Sequence, residues 1–125
     1  MRKELFPEFV LIMAPGILLS EEDRNRLFAA MDQFGLDSAC PLHPSYHRNR
    51  GRFECNLMYR YRTSGIELHG YCLAVRQSVW NKLPTLDLHN YRWLEQYRQQ
   101  VVGLGLEHGL VCNALVYEAK ALLHR

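Results

Sequence analysis

Arginine side chains are concentrated in one short stretch of this chain. Residues 48–62 contain five of them, namely Arg48, Arg50, Arg52, Arg60 and Arg62. The planar guanidinium group donates paired hydrogen bonds that fit the oxygens of phosphate and carboxylate groups. We therefore predict a basic surface that binds an anionic or phosphate-bearing ligand or an acidic protein partner, with nucleic acid as an alternative partner. The other interpretation is a solvated basic loop that binds nothing.

The same region contains residue types that bind zinc. Cys40, His43 and His47 lie close together in the sequence, and Cys55 follows further along. Zinc needs four such ligands converging in a tetrahedron, but this spacing matches no standard zinc finger. We interpret the four residues as loop histidines and small core side chains, and we predict no metal and no cofactor. A zinc site in this loop remains the alternative.

Glu95 lies between two aromatic residues, Trp93 and Tyr97, in a segment predicted to be helical. A carboxylate that is partly desolvated can act as a general base, so Glu95 is the candidate catalytic residue and Trp93 a candidate ligand contact. The alternative is an ordinary surface acid. The sequence has no glycine-rich phosphate loop, nucleophile elbow or HExxH motif.

A predicted β-hairpin positions the basic residues. Residues 53–62 and 66–74 alternate between apolar and polar side chains, and Ser64-Gly65 between them predicts a two-residue loop. This register places Tyr59 opposite Gly70, where the ring would cover the glycine. The exposed face would then carry Arg60, Arg62, Glu67, His69 and Tyr71. His69 and Tyr71 thereby join the arginines as candidate ligand-binding residues.

The rest of the chain predicts helices and strands around this hairpin. Residues 9–14 form an apolar run that predicts a strand buried on both faces, and Ser20 predicts the cap of a helix that Gly35 ends. Further elements are predicted as strands at residues 36–42 and 110–117 and helices at residues 78–83, 87–102 and 119–124. We predict a single α/β domain over residues 1–125, with a mixed sheet, a central β-hairpin and flanking helices.

Composition limits the class of protein. The chain has 125 residues, 48% hydrophobic, and a formal net charge of +2, which indicates one globular domain. No apolar run approaches the ~18–20 residues that cross a bilayer. Arg2-Lys3 before an apolar run is similar to the start of a signal peptide, but Glu4 and Pro7 interrupt that pattern. The four widely spaced cysteines predict reduced thiols and a cytoplasmic location.

The order of segments resembles the second half of a family 2 glycosyltransferase with the GT-A fold. The segments that carry the resemblance are FVLIMAPG, SEEDRNRLFAAMDQFGLDSACPL, GYCLAVRQSVW, WLEQYRQQVVGLGLEHGL and CNALVYE. The resemblance implies a nucleotide-sugar transferase in which Glu95-Gln96 stands at the acid pair. Ala14-Pro15-Gly16 stands where that family has its metal-binding Asp-x-Asp. We therefore expect a non-catalytic relative, fragment or subunit, without metal-dependent sugar transfer by the isolated chain.

Sheet pairing separates this expectation from the alternative, a small binding protein. Parallel pairing of residues 9–14 with residues 112–117 would favour the transferase-like fold, and a closed antiparallel sheet with a helix on one face would favour the binding protein. In a half-domain of the transferase type, residues 9–14 would also lack a neighbouring strand. An unpaired apolar edge recruits other chains, so we predict a homo-oligomer or a heteromeric partner.

The basic surface can be tested directly. We predict that replacing Arg50, Arg52 and Arg60 together by alanine weakens the binding of phosphate-bearing ligands, because charge neutralisation contributes much of such binding. The thermal midpoint should change little, since exposed charges contribute little to stability. Titration with an oligonucleotide or inorganic polyphosphate at several salt concentrations measures this. Equal binding by the variant and the native chain would leave only a solvated surface.

Overall fold

The computed structural model describes residues 1–43, 58–61, 70–83 and 86–119, with the backbone alone at 58–61. The strands are β1 (Arg2–Leu5), β2 (Phe9–Met13), β3 (Ile17–Leu18), β4 (Ser38–Leu42), β5 (Met58–Tyr61), β6 (Cys72–Arg76), β7 (His108–Leu115) and β8 (Tyr117–Glu118). The helices are α1 (Glu21–Phe34), α2 (Gln77–Trp80) and α3 (Trp93–Gly103). The main sheet has the order β1-β2-β6-β4-β7-β5, and β3 pairs with β8 in a second, two-stranded sheet. The α/β class with a mixed sheet and flanking helices is confirmed.

The central strands are buried on both faces of the main sheet. In β2, Leu11 and Met13 pack in a cluster with α1, whereas Val10 and Ile12 pack in a second cluster with α2 and α3. Alternate residues of a strand face opposite sides, so a continuous apolar run can supply two cores at once. The described residues therefore form three layers, with α1 on one face of the sheet and the other two helices on the other.

Helix α1 begins and ends where the sequence predicts. The Ser20 side chain accepts a hydrogen bond from the Asp23 backbone N–H, which satisfies one of the unpaired donors at the helix start. Gly35 follows the last turn with φ of 64°, the left-handed conformation that glycine adopts without a steric penalty. The helix buries Leu27 and Met31 against the sheet.

Strand β1 was not predicted and changes the expected edge of the sheet. It reads Arg-Lys-Glu-Leu, is largely exposed, and pairs antiparallel with β2. A short charged strand is typical of a sheet edge, where it discourages pairing with other chains, but it lacks the apolar alternation that identifies a strand in sequence. Because β2 lies between β1 and β6, the predicted unpaired edge at residues 9–14 is wrong, and it no longer supports an oligomer.

The two parts of the predicted hairpin that the structure describes are not neighbours. Strand β5 pairs antiparallel with β7, so the Cα partner of Tyr59 is Leu110. Strand β6 lies between β2 and β4, and two strands, β4 and β7, separate it from β5. Because β6 has β2 and β4 as its neighbours, the predicted pairing of residues 72–74 with residues 55–57 is wrong. The position of Tyr59 opposite Gly70 stays a prediction. The turn expected at residues 63–65 lies outside the described residues.

Strand pairing matches neither of the two patterns that would distinguish the transferase from the binding protein. Strand β2 is antiparallel to both its neighbours and is separated from β7 by β6 and β4. The parallel pair of the sheet is β4 with β7 instead. The sheet is open and mixed, and the described helices cover both of its faces.

Helix α3 starts later than predicted. Asp87 accepts a hydrogen bond from the backbone N–H of His89 and forms a turn, and the helix begins only at Trp93. The buried stripe was consequently misplaced, since Tyr91 is 86% exposed and Leu104 is also exposed. The residues that α3 buries are Trp93, Tyr97 and Val101. The helix predicted at residues 119–124 lies almost entirely outside the described residues.

The parallel pairing of β4 with β7 shifts its register at Pro41. Pro41 pairs with Val111, but the next residue, Leu42, pairs with Leu115. Proline has no backbone N–H to contribute to a ladder, and such residues are found at irregular positions of a sheet. The Leu115 backbone N–H donates instead to Oδ1 of Asp23, over 3.2 Å.

No helix among the described residues has both the length and the apolar character required to cross a bilayer.

Arg76 at the end of β6 contacts the C-terminal end of α1. Its guanidinium donates to the carbonyl oxygens of Met31 and Leu36, over 2.8 and 2.7 Å, and to Oδ1 of Asp32 over 3.0 Å. The last turn of α1 has no basic residue of its own. A cation here is favoured by the helix dipole and satisfies carbonyl groups that have no partner within the helix.

We predict that Arg76→Ala lowers the free energy of unfolding by about 2 kcal/mol, because it removes charge-assisted hydrogen bonds from a partly buried site. Arg92→Ala is the matched control, since Arg92 is exposed and contacts its neighbour Tyr91, and it should change stability by less than about 0.5 kcal/mol. Urea unfolding followed by circular dichroism measures both. Equal midpoints for Arg76→Ala and the native chain would contradict the anchoring role.

Candidate functional site

Most of the predicted basic surface lies outside the described residues. This applies to Arg48, Arg50, Arg52, Arg62 and His69. Arg60 belongs to β5, where its Cα partner is Gly109 of β7. The proposed anion binding by these residues therefore stays a prediction.

The predicted zinc ligands do not share one environment where they are described. Cys40 is fully buried in the cluster beneath α3, and His43 follows the end of β4. His47 and Cys55 lie outside the described residues. Within the part of the chain that the structure covers, no three His, Cys, Asp or Glu side chains are arranged to hold a metal ion.

Trp93 and Glu95 lie in different surroundings although they are two residues apart. Trp93 is only 6% exposed and packs in the core cluster beneath α3, which leaves little surface for a ligand. The Glu95 side chain is 57% exposed and lies 3.4 Å from the Arg98 guanidinium. The partial desolvation that a general base requires is therefore not met at Glu95.

Tyr71 belongs to a small cluster at the carboxyl end of β4. Its ring is stacked on the ring of His43, with 3.8 Å between centroids and 18° between planes. Nε2 of the buried His43 lies 3.3 Å from Oε1 of Glu118 in β8. We name His43, Tyr71 and Glu118 the edge cluster. Tyr71 and Glu118 are each 39% exposed, so this cluster presents an aromatic ring and a carboxylate at the surface.

A serine and a histidine meet in the interior, where sequence patterns did not indicate a pair. The Ser38 hydroxyl and Nδ1 of His108 are 2.7 Å apart at the start of β4 and β7, and both side chains are fully buried. Burial raises the pKa of the nearby Tyr97 hydroxyl above its ordinary value of 10.0, and the polar Ser38 side chain opposes that rise. Because no substrate can reach these groups, we interpret them as a structural link between β4, β7 and α3.

The cysteines offer no nucleophile among the described residues. Cys40, Cys72 and Cys112 are buried thiols. Burial is the main cause that raises the pKa of the Cys72 thiol, and a nearby Cys40 raises it further. A reactive cysteine needs a lowered pKa and access to solvent, and Cys72 has neither.

A cleft opens between β1, the start of α1 and the β3–β8 pair, on the α1 side of the sheet. Its volume is about 370 Å³. The apolar part of its wall is formed by Leu11, Met13, Leu18, Leu19 and Tyr117. The polar part is formed by Arg2, Glu4, Ser20 and Arg24. An apolar pocket with a few converging polar groups is the usual form of a small-molecule site.

Two arginines give this cleft its charge. Nε of Arg2 lies 3.3 Å from Oε1 of Glu4, and the same guanidinium donates to the Ile17 carbonyl oxygen over 3.2 Å. Arg24 lies over the Phe6 ring and 3.9 Å from Glu21, whose side chain is 80% exposed. A guanidinium has five N–H donors, so both arginines retain donors for a ligand.

Sequence reasoning missed the cleft for identifiable reasons. Arg2 and Lys3 together fit the start of a signal peptide, and Arg24 follows three acids in the first turn of α1, which mask its charge. The two arginines are 22 positions apart, and the pairing of β1 with β2 together with the packing of α1 on the sheet brings them to one cleft. No local spacing signals such a pair.

Strand β8 connects the cleft with the edge cluster. Tyr117 forms part of the cleft wall, and the next residue, Glu118, contacts His43. Successive residues of a strand point to opposite sides, so one short strand can contribute to both places. Its pairing with β3, Ile17 with Glu118 and Leu18 with Tyr117, fixes this arrangement.

Comparison of the chain with protein-family models, with curated proteins and with solved structures gives no match.

The buried Tyr97 hydroxyl predicts a dependence of stability on alkaline pH. The pKa of Tyr97 is raised in the folded state, so the protonated hydroxyl favours the folded chain. This contribution to stability is fully present below about pH 10 and is lost as the pH rises above that value. The unfolded chain then loses a proton that the folded chain keeps, which costs about 1.4 kcal/mol for each pH unit. We predict that Tyr97→Phe flattens the fall in the urea midpoint between about pH 9 and about pH 11.

Tyr91→Phe is the matched control for this measurement, because the Tyr91 ring is exposed. It should reproduce the steep fall of the native chain. Identical slopes for Tyr97→Phe and the native chain would contradict the role of the buried hydroxyl.

Proposed function

We propose that this protein is a binding domain for a small amphipathic anion, held in the cleft between β1, α1 and the β3–β8 pair. One observation carries the proposal: Arg2 and Arg24 lie on the rim of a cleft of about 370 Å³ whose wall is otherwise largely apolar. The apolar wall favours a ligand with a hydrophobic body, and the guanidinium groups favour an anionic head.

The apolar wall and the arginines of the cleft would each contribute to the free energy of ligand binding. Burying an apolar ligand body yields about 25 cal/mol for each Å² removed from water. Leu18 and Tyr117 are among the exposed large apolar residues, so a ligand would cover surface that water now contacts. Charge-assisted hydrogen bonds to a carboxylate or phosphate then fix the orientation.

This proposal keeps the ligand class predicted from the sequence and adds a site for it. The arginines of residues 48–62 would extend the basic surface, and nucleic acid remains the alternative ligand for them. The resemblance to glycosyltransferases stays a proposal of a non-catalytic relative, because Ala14 and Gly16 offer no side-chain ligand to a metal. We also propose a reducing compartment such as the cytoplasm, since buried thiols at Cys40, Cys72 and Cys112 fit it.

Calorimetric titration with 3-phenylpropionate tests the proposal, since this molecule combines an apolar ring with one carboxylate. We predict saturable binding that Arg24→Gln weakens about tenfold, because one charge-assisted hydrogen bond is lost. Backbone amide chemical shifts should change at β1, β3 and β8, whose residues line the cleft.

Arg98→Gln is the matched control, because Arg98 also pairs with a glutamate three positions earlier on a helix but lies outside the cleft. It should bind 3-phenylpropionate as the native chain does. Absence of saturable binding, or equal losses in the two variants, would refute the proposed site.

A further inference from the structure

We infer that the ligand of this cleft is a zwitterion, namely a free α-amino acid with an apolar or aromatic side chain. This inference rests on the proposed function and deepens it, because it keeps the apolar body and the carboxylate of the ligand and adds an ammonium group. Its basis is the presence of both charge signs on the rim, with Glu4 among the lining residues beside Arg2 and Arg24.

Glu4 is unfavourable for a ligand that carries only negative charge. Its carboxylate lies 3.3 Å from the Arg2 guanidinium and its side chain is 45% exposed, so it faces the same water as the arginine. A simple carboxylate bound to Arg2 would approach Glu4, and like charges at close range repel. A ligand that brings an ammonium group beside its carboxylate turns this repulsion into attraction.

The positions on β1 suit such a head group. Arg2 and Glu4 are two residues apart on one strand, so their side chains lie on the same side and their Cα atoms are roughly 7 Å apart. The carboxylate of an α-amino acid would pair with Arg2 and Arg24, and its ammonium group with Glu4. Arg24 thus supplies the second cation that leaves the cleft with a net attraction for the carboxylate.

The remaining wall suits an apolar side chain. Leu11, Met13 and Leu18 form an aliphatic surface, and the Tyr117 ring adds an aromatic one. A volume of about 370 Å³ lies near the lower end of the range for small-molecule sites, roughly 300 to 1,000 Å³, which favours a single amino acid over a large cofactor.

Three ligands that share one phenyl ring test the inference by calorimetry: L-phenylalanine, 3-phenylpropionate and 2-phenylethylamine. We expect L-phenylalanine to bind the native chain about tenfold more tightly than 3-phenylpropionate, which lacks the ammonium group, with 2-phenylethylamine weakest because it lacks the carboxylate. In Glu4→Gln, binding of L-phenylalanine should fall about tenfold and binding of 3-phenylpropionate should rise.

Glu95→Gln is the control variant, since Glu95 also pairs with an arginine but lies outside the cleft. If 3-phenylpropionate binds the native chain at least as tightly as L-phenylalanine, or if Glu4→Gln weakens both equally, the zwitterion inference is overturned while the proposed function stands. If neither ligand saturates the chain, or if Arg24→Gln leaves both affinities unchanged, the proposed function itself has failed and this inference fails with it.

Discussion

The parallel pairing of β4 with β7 changes register after Pro41, so that Pro41 pairs with Val111 but Leu42 pairs with Leu115. The shift directs the end of β7 toward α1, where Asp23 accepts the Leu115 N–H. The Val116 N–H then donates to the Leu42 carbonyl oxygen over 3.1 Å, and the chain continues as β8. The position of β8, and with it one wall of the cleft, is therefore tied to this register shift between two central strands.

Helix α1 is fixed to the sheet at both ends by charged side chains. At the first turn Asp23 accepts a hydrogen bond from the Leu115 N–H of β7. At the last turn Arg76 of β6 donates hydrogen bonds to carbonyl oxygens. Between these two contacts Leu27 and Met31 pack against the sheet. Because the cleft lies beside the start of this helix, the position of Arg24 is set by the Asp23 contact. The position of an arginine that lines the cleft thus depends on a hydrogen bond between two residues that do not line it.

Periodicity in the sequence was sufficient for the elements that have strong local signals. The sequence correctly predicts strand β2 and the Ser20 and Gly35 boundaries of α1. Burial on two faces and helix capping each produce a recognisable pattern in consecutive residues. Strand β1 has no such pattern in the sequence, since an exposed edge strand with charged side chains has no apolar alternation. Asp87 fits the sequence pattern of a helix cap, but its side chain accepts a hydrogen bond from the His89 backbone N–H and forms a turn.

Local sequence patterns do not predict contacts between strands or side chains that are far apart in the sequence. The alternation of residues 66–74 suggests pairing with the segment before it, whereas β6 pairs with β2 and β4, which are distant in sequence. The cleft combines residues from β1, α1 and β8 for the same reason. The sequence predicts an anionic ligand because arginine chemistry is evident without a fold, but locating the cleft requires the sheet order.

The Asp23–Leu115 hydrogen bond spans 92 positions of the chain and the Arg76–Met31 bond spans 45. During synthesis from the first residue onward, α1 therefore emerges long before either of the groups that fix it. A helix of this length is marginal in water on its own, so it can dock firmly only after β7 has been made. Contacts of such long range also slow folding, because a large loop must close before it gains any stabilisation. The first half of the chain would therefore stay partly folded, with apolar surface exposed, until the second half has been synthesised.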